Sequence, residues 1–322
     1  AAARQRFADS LNRRFQGSYT ADQFYITVGA AASLCCVFNG LTCPGDEFIV
    51  FAPYFPEYKV FIEGAGAKMV LIPPEIEHFQ IDFDTLESSI TPHTKGVVVN
   101  TPNNPSGVVY SRQTLEKLSA VLTAKSQEYG HPIYLISDEP YRELLFTGTE
   151  ETYPARFYDN TITCYSFSKS LSLPGERIGY LAVNPKAEQA MTIAEVCPQI
   201  SRTIGCNGTS TLMQLTVGRC ADLTSQLEIY ERNKDRLFSA LTEYGFSCVE
   251  PGGSFYMFPR SLEPDDVAFC KKATELDLFL VPGTAFGCPG HFRLAYCVPE
   301  ERVVAALPRF RQLAERYQRQ KG

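Results

Sequence analysis

The amino-acid sequence predicts an α/β fold, in which a doubly wound, mostly parallel sheet is followed by a smaller α+β domain. Short apolar runs alternate with amphipathic stretches, which is typical of parallel strands joined by helices. The runs lack the polar alternation of a half-exposed sheet, as Val97-Val98-Val99 illustrates, so we expect helices on both faces. After about residue 205 the candidate strands become fewer and the helices longer, which indicates a second domain.

The first part of the chain contains the candidate strands of the large sheet. Each is rich in Val, Ile, Leu, Tyr or Phe and is closed by Pro, Asn, Ser or Asp. Between two of them, Leu115, Leu118 and Leu122 recur at helical spacing after Ser111, which suits an N-cap. The predicted strands are residues 47–51, 68–72, 96–100, 133–137, 161–167 and 178–183.

The second part predicts a long amphipathic helix over 223–244 that ends at Gly245, as a C-terminal glycine would end it. Short strands and two further helices follow, with no repeat, no low-complexity segment and no Gly/Ser-rich linker. The predicted strands are 254–258, 278–281 and 292–295, and the predicted helices are 264–275 and 299–319.

Composition excludes several classes of function. The 322 residues carry 30 Lys and Arg against 36 Asp and Glu, a net charge of −6, which argues against nucleic-acid binding and against a basic membrane-surface protein. No apolar stretch is long enough to span a bilayer, and the first residues lack the features of a signal peptide. The 11 cysteines are scattered without disulfide spacing, so we expect reduced thiols and a cytoplasmic protein.

A lysine directly after a predicted strand is the first candidate for chemistry. Lys169 is preceded by Ser166 and Ser168 and followed by Ser170, and Arg177 lies eight residues after it. A lysine in this place would suit a Schiff base, and serine hydroxyls with an arginine fork are suitable phosphate ligands. The alternative is a solvated lysine in a serine-rich loop.

Two further segments follow the ends of predicted strands. Asp138 closes the apolar run 133–137, where a poorly solvated carboxylate would hold a cationic ring nitrogen, and Tyr141 would donate to a phenolate oxygen. The alternative for Asp138 is an N-cap of the next turn. The segment Asn-Thr-Pro-Asn-Asn-Pro-Ser-Gly at 100–107 predicts a rigid turn that could present a side-chain amide to a planar ring. The alternative is a turn with no further role.

A glycine followed by small residues is the fourth segment. Gly29, Ala30 and Ala31 open a predicted helix, so its first N–H groups would be free to bind an anion. This pattern alone is weak, because any helix entered through a glycine has it.

Together and in this order, the four segments resemble the fold-type I, pyridoxal-phosphate-dependent aminotransferases of class I/II, the group similar to aspartate aminotransferase. The resemblance runs from about residue 27 to 296 and includes an aromatic residue after a proline and a late arginine. It implies pyridoxal 5'-phosphate as the cofactor and amino-group transfer from an L-amino acid to a 2-oxo acid.

The resemblance also implies a role for each matched residue. Lys169 resembles the lysine that forms the internal aldimine, and Asp138 the partner of the ring nitrogen. The remaining implied roles are Asn104 and Tyr141 at the phenolic oxygen, Gly29, Ala30, Ala31, Ser166, Ser168 and Arg177 at the phosphate, Phe55 on the ring face, and Arg293 at the substrate carboxylate, with Asn104 beside it.

Family members usually carry several dozen residues before the first matched helix, including part of the small domain. We therefore expect a large cofactor-binding domain over 16–205 and a small domain over 206–322, with 1–15 as a remnant of the small domain's N-terminal part. The family also implies a homodimer. No set of His and Cys residues has metal-site spacing, so no metal is expected.

Substrate and reaction type stay open at this stage. A subgroup specific for aspartate places Lys where this sequence has Ala31, so a strictly acidic substrate is not favoured. The same cofactor also supports C–S lysis, decarboxylation or synthase chemistry, which these motifs do not separate from amino-group transfer. A non-enzymatic alternative is the effector-sensing domain of a transcriptional regulator.

Overall fold

The computed structural model describes residues 1–319. Its main feature is a mixed sheet of seven strands in the order β1-β7-β6-β5-β4-β2-β3. The strands are β1 (Phe24–Thr27), β2 (Glu47–Phe51), β3 (Lys68–Ile72), β4 (Thr94–Asn100), β5 (Tyr134–Asp138), β6 (Thr161–Ser166) and β7 (Gly179–Val183).

Strand directions bring several chain segments to one edge of this sheet. The pairs β2–β3, β2–β4, β4–β5 and β5–β6 are parallel, whereas β7 is antiparallel to both β6 and β1. Strand β1 therefore runs in the same direction as β6. The last residues of β1, β4, β5 and β6 and the first residue of β7 all lie at this edge, where Gly179 is paired with both Thr27 and Ser166. In α/β sheets this is the edge where ligands bind.

Helices cover both faces of the sheet, as the apolar strands require. On one face Phe38 of α2 packs edge-on against Phe48 of β2, with ring centroids 5.0 Å apart. On the other face Leu118 and Leu122 of α5 belong to one apolar cluster with Val97 of β4. The helices up to this point in the chain are α1 (Ala2–Phe15), α2 (Ala30–Leu41), α3 (Glu57–Gly64), α4 (Phe83–Ser89), α5 (Arg112–Tyr129), α6 (Phe167–Ser170), α7 (Ala190–Thr203) and α8 (Thr211–Arg219).

A second, smaller unit follows. Its sheet has the strand order β8-β10-β9, with β8 at Tyr256–Met257, β9 at Val281–Pro282 and β10 at Phe292–Ala295. Its helices are α9 (Leu227–Glu243), α10 (Asp266–Thr274) and α11 (Glu300–Gln318). They enclose a separate apolar core that includes Leu241, Phe269 and Leu313. None of the helices over residues 1–319 is both long enough and apolar enough to cross a membrane.

The fold class predicted from the sequence is confirmed, including the smaller second sheet. Strands β2, β3 and β10 have the predicted bounds, and β4 to β7 differ from them by one or two residues at an end. Strands β8 and β9 are shorter than predicted, and β1 was not predicted. The division at about residue 205 stays a prediction, and residues 320–322 of the proposed small domain lie outside the described residues.

The placement of helix α1 differs from the expectation that residues 1–15 belong with the small domain. Phe7 of α1 stacks on Tyr180 of β7 with a centroid distance of 5.1 Å and also contacts Phe167. Leu11 and Phe15 lie in the same apolar cluster. The helix therefore belongs to the large sheet, because its apolar face matches the aromatic residues that β6 and β7 present there.

Candidate active site

A cavity of about 350 Å³ opens at the edge of the large sheet where the strands end. Every candidate residue from the sequence except Gly29 lines it. The candidates that line it are Ala30, Ala31, Phe55, Asn104, Asp138, Tyr141, Ser166, Ser168, Lys169, Arg177 and Arg293. The fold thus brings together residues that are separated by up to 263 positions, although their individual roles stay predictions.

The start of helix α2 forms one end of the cavity. Gly29 is its N-cap, with φ 98° and ψ 172°, a backbone conformation that is essentially confined to glycine. A Cβ at this position would lie 2.9 Å from Nη2 of Arg177, so the absence of a side chain lets the guanidinium approach the helix. Arg177 Nη1 donates to the carbonyl of Pro174 at 2.8 Å, which holds it there. Free N–H groups and a guanidinium together favour an anion at this end.

Lys169 lies on α6, a single helical turn that follows β6. Ser166 caps this turn: its hydroxyl accepts from the N–H of Ser168 at 3.1 Å and donates to the Ser168 hydroxyl at 2.7 Å. Nζ of Lys169 lies 5.2 Å from the centroid of the Phe255 ring. Burial lowers the pKa of Lys169, and the nearby cations Arg177 and Arg293 lower it further. The neutral, nucleophilic amine is therefore more populated than in an exposed lysine.

Asp138, the last residue of β5, is 4 % exposed. Its Oδ2 accepts a hydrogen bond of 2.5 Å from the hydroxyl of Tyr58. Its Oδ1 is buried and has no hydrogen-bond partner among residues 1–319. Burial raises the pKa of Asp138 to about 7, against the lowering effect of the Tyr58 hydrogen bond. A buried carboxylate oxygen without a partner requires a donor, preferably a cationic one.

Asn104, Tyr141 and Arg293 form another part of the cavity wall. Nη1 of Arg293 donates to Oδ1 of Asn104 at 2.9 Å. The backbone of Asn104 is held in turn by Asn100, whose Oδ1 accepts from the Asn104 N–H at 2.7 Å. Burial raises the pKa of Tyr141 well above its ordinary value, so its hydroxyl keeps its proton and can donate. This wall therefore offers a hydroxyl donor next to a guanidinium suited to a carboxylate.

Several residues at the site were missed by the sequence reasoning. Tyr58 is one of them, and its contact with Asp138 spans 80 positions. Asn100 stood within the quoted turn, but the hydrogen bond from its Nδ2 to the carbonyl of Asp138 at 2.9 Å depends on the pairing of β4 and β5. The other unassigned lining residues are Leu34, Pro140, Pro174 and Tyr256. Leu34, Pro140 and Pro174 lie within or next to the segments that carry assigned residues, whereas Tyr256 reaches the cavity from the small sheet.

Across residues 1–319 no group of three or more His, Cys, Asp or Glu side chains is arranged to hold a metal ion. The polar groups of the cavity are instead distributed in four places: a cationic end at α2, a carboxylate at β5, an amine at α6, and the wall formed by Asn104, Tyr141 and Arg293. Such a site suits an organic anion with a ring that carries a protonated nitrogen and a carbonyl that reacts with an amine.

Comparison with known proteins gives a consistent result. The family model described as aminotransferase class I and II matches residues 1–310. An aspartate/prephenate aminotransferase of Thermus thermophilus is 35 % identical over 321 residues, which covers 97 % of this chain and 81 % of the relative. An aspartate aminotransferase of Thermotoga maritima is 33 % identical and covers 95 % of this chain and 79 % of the relative.

Solved structures give the same picture. An aminotransferase from Eubacterium rectale superposes with a TM-score of 0.95 at 46 % identity, covering 98 % of this chain and 80 % of that one. The aspartate aminotransferase of Thermotoga maritima superposes with a TM-score of 0.88 at 31 % identity, covering 98 % and 82 %.

Proposed function

This chain belongs to the class I and II aminotransferase family, and from that premise we propose that the cavity at the strand ends is where its cofactor and substrates react, with Lys169 as the reacting amine. The protein is a pyridoxal-phosphate-dependent aminotransferase, an enzyme that transfers the amino group of an amino acid to a 2-oxo acid. The assignment of each residue's role is our proposal.

The residues of the cavity fit pyridoxal phosphate. The observation that carries the proposal is the unpartnered Oδ1 of Asp138, a buried acceptor that a protonated ring nitrogen would satisfy. The N–H groups at the start of α2, the hydroxyls of Ser166 and Ser168, and Arg177 would hold the phosphate. Phe55 would pack on the ring. Bound pyridoxal phosphate supplies an electrophilic aldehyde carbon and a ring that withdraws electrons from the substrate α-carbon.

The chain's own groups account for the other requirements of the reaction. Lys169 would hold the cofactor in the resting enzyme; once the substrate amine had displaced it, its freed Nζ would move the proton from the substrate α-carbon. Its lowered pKa favours the neutral amine that both tasks need. Asp138 would keep the ring nitrogen protonated, and Tyr141 and Asn104 would donate to the phenolic oxygen. Arg293 would hold the α-carboxylate of the substrate and so orient the bond that breaks.

We further propose that the preferred substrate has an uncharged side chain. Among residues 1–319 the cations that line the cavity are Lys169, Arg177 and Arg293, and each already has a role with the cofactor or the α-carboxylate. Ala31 and Leu34 offer apolar surface instead of a partner for a second carboxylate. Because relatives of this chain are named as aspartate aminotransferases, aspartate is the substrate with which others should be compared. A preference for aspartate over leucine and phenylalanine by more than tenfold in kcat/KM would contradict this.

We also propose a homodimer, as the family implies. We propose that an apolar surface of α8 forms part of the contact between the two copies. Leu212 is 72 % exposed and Leu215 54 % exposed there. We propose a cytoplasmic location, because all 11 cysteines are free thiols.

The experiment that tests the function has two parts. First, the protein loaded with pyridoxal phosphate is mixed with a panel of amino acids and 2-oxoglutarate, and glutamate is measured. Second, borohydride reduction followed by peptide mass analysis should attach the cofactor to Lys169, and Lys169→Ala should abolish both the attachment and the transfer. Pyruvate and ammonia from a thioether substrate, without glutamate, would favour the lyase alternative. Attachment at another lysine would overturn the assignment.

A further inference from the structure

The aromatic residue Tyr256 is not assigned by any motif of the sequence, yet it lies in the wall of the cavity and is 9 % exposed. It belongs to β8, at the edge of the small sheet. Two contacts fix its main chain. Tyr256 is paired with Ala295 of β10, and its carbonyl oxygen lies so close to Gly107 that a Cβ there would come within 2.6 Å of it. The backbone that carries the ring is therefore held in place, and the residue is largely buried.

The pairing of β8 and β10 explains what this ring touches. Because Tyr256 is opposite Ala295, it is the diagonal neighbour of Arg293 on the same face of the sheet, a distance that aromatic and long side chains span. The guanidinium carbon of Arg293 lies 4.4 Å from the Tyr256 ring centroid and 4.8 Å from that of Phe286. Both contacts are within the range of a cation–π interaction.

We propose that Tyr256 is a positioning residue for Arg293, which sets the guanidinium plane so that one edge is free for the substrate carboxylate. This inference rests on the proposed function of the cavity. Asn104 already accepts from Nη1 of Arg293 at 2.9 Å. A single hydrogen bond leaves a guanidinium free to rotate about the bond to that partner. The ring against its face removes that freedom, and bidentate carboxylate binding needs a defined plane.

Tyr256 also connects this arginine to the rest of the site. Its ring lies edge-on to Tyr141, with centroids 5.8 Å apart and planes at 75°. Tyr256 is among the causes of the raised pKa of Tyr141, after burial. The Tyr256 ring therefore contacts both the carboxylate-binding arginine and the residue proposed for the phenolic oxygen.

Steady-state kinetics of the loaded enzyme with three variants test the inference. Tyr256→Leu removes the ring and should raise KM for both the amino acid and the 2-oxo acid by about 3- to 30-fold, the range expected for a lost cation–π contact. Its kcat should change by less than about threefold, because the reacting amine is untouched. Tyr256→Phe keeps the ring and should restore KM to within about twofold of the original enzyme.

The matched control is Phe255→Leu. Phe255 is adjacent in sequence and contacts Lys169 but has no cation–π contact with Arg293. It should change kcat or the pH profile more than KM. As a second readout, the half-reaction with a primary amine that lacks a carboxylate should be equally slow with the original enzyme and with Tyr256→Leu, since Arg293 has nothing to bind.

Two results would overturn the inference: an unchanged KM in Tyr256→Leu, or an equal loss of rate with the carboxylate-free amine. Failure of the proposed function is distinguishable, because it would show as absence of amino-group transfer in the unmodified enzyme. If Tyr256→Leu does not fold, Tyr256→Met provides a side chain of similar length without an aromatic face.

Discussion

The hydroxyl of Tyr58 on α3 donates a 2.5 Å hydrogen bond to Oδ2 of Asp138, while Oδ1 of the same carboxyl has no partner among residues 1–319. The carboxyl is therefore half satisfied by the protein. Since burial is the largest influence on it, the pKa of Asp138 is raised to about 7. This relationship gives the first expected outcome.

Without cofactor, the stability of the protein should fall as pH rises from about 4 to about 7. The pKa of Asp138 is higher in the folded protein than in the unfolded chain, so the folded state binds the proton more tightly. The stability that this proton contributes is fully present below the unfolded pKa of 3.8 and is lost as pH rises past the folded pKa. The upper limit is about 4 kcal/mol. Urea denaturation of cofactor-free protein between pH 4 and 8 measures it, and Asp138→Asn should remove this part of the pH dependence.

Two variants control this measurement. Asp159→Asn changes a carboxyl that is 65 % exposed and should leave the slope as it was. Tyr58→Phe removes the hydrogen bond that lowers the pKa of Asp138, so the fall in stability should move to higher pH. A slope that is identical in Asp138→Asn and the original protein would contradict the assignment.

A second prediction concerns the amine of Lys169. Its pKa is lowered by burial first and then by Arg177 and Arg293, so removal of one cation should raise it. We expect Arg177→Gln to shift the pH dependence of adduct formation with pyridoxal to higher pH. Pyridoxal has no phosphate, so the loss of Arg177 as a phosphate ligand does not enter. Absorbance at several pH values measures the rate.

The exposed arginine of α9 provides the control for that shift. Arg232→Gln removes the same charge away from the cavity lining and should leave the profile unchanged. Coincident profiles for Arg177→Gln and the original protein would show that the cation does not influence the amine.

A third prediction tests the glycine at the start of α2. Gly29→Ala should weaken binding of pyridoxal phosphate by at least about tenfold, since the φ of 98° is strained for alanine and the new Cβ would displace Arg177. Gly64→Ala, at the end of α3 with nothing within 4 Å of the new Cβ, should bind normally. Fluorescence titration of the cofactor-free variants compares them, and equal affinities would argue against a phosphate at this helix end.

The positions of these groups were predictable from sequence to different degrees. Asp138 and Ser166 end apolar strands and Lys169 lies on the helical turn after one, so their place at the sheet edge was predictable from local pattern. Strand β1, Phe24–Thr27, was missed because a four-residue edge strand has too few positions to show a pattern. The placement of α1 was wrong, because its apolar face is compatible with either domain in sequence and only aromatic packing on Tyr180 decides between them.

Residues that act through another side chain were the least predictable. Tyr58 reaches Asp138 from helix α3, and Tyr256 reaches Arg293 across the pairing of β8 and β10, and no spacing in the sequence encodes either contact. The buried pair of Glu139 and Arg142 was equally invisible, since an acid and an arginine three positions apart are more often an exposed pair.

That pair leads to a fourth prediction, on stability. Arg142 and Glu139 are joined at 2.9 Å with side chains 5 % and 1 % exposed, and the guanidinium also donates to the hydroxyl of Tyr180. Arg142→Met should lower the free energy of unfolding by about 3–5 kcal/mol, because it leaves a buried acid without its cation. Arg309→Met, which breaks an exposed pair with Asp277, should cost about 1 kcal/mol or less. Denaturant unfolding of both variants decides whether burial makes this difference.

The last prediction concerns assembly. Leu212 and Leu215 lie three positions apart on α8 and are 72 % and 54 % exposed, so they form an apolar surface on one side of this helix. If a second copy of the chain covers them, the double variant Leu212→Asp, Leu215→Asp should place charges in the contact and convert a dimer to a monomer. Phe279→Asp is the matched control, because Phe279 is 82 % exposed but belongs to the small unit before β9. Light scattering behind size-exclusion chromatography measures the mass of each protein. A dimer that persists in the double variant would place the contact elsewhere, and a monomer in the unmodified protein would contradict the proposed assembly itself.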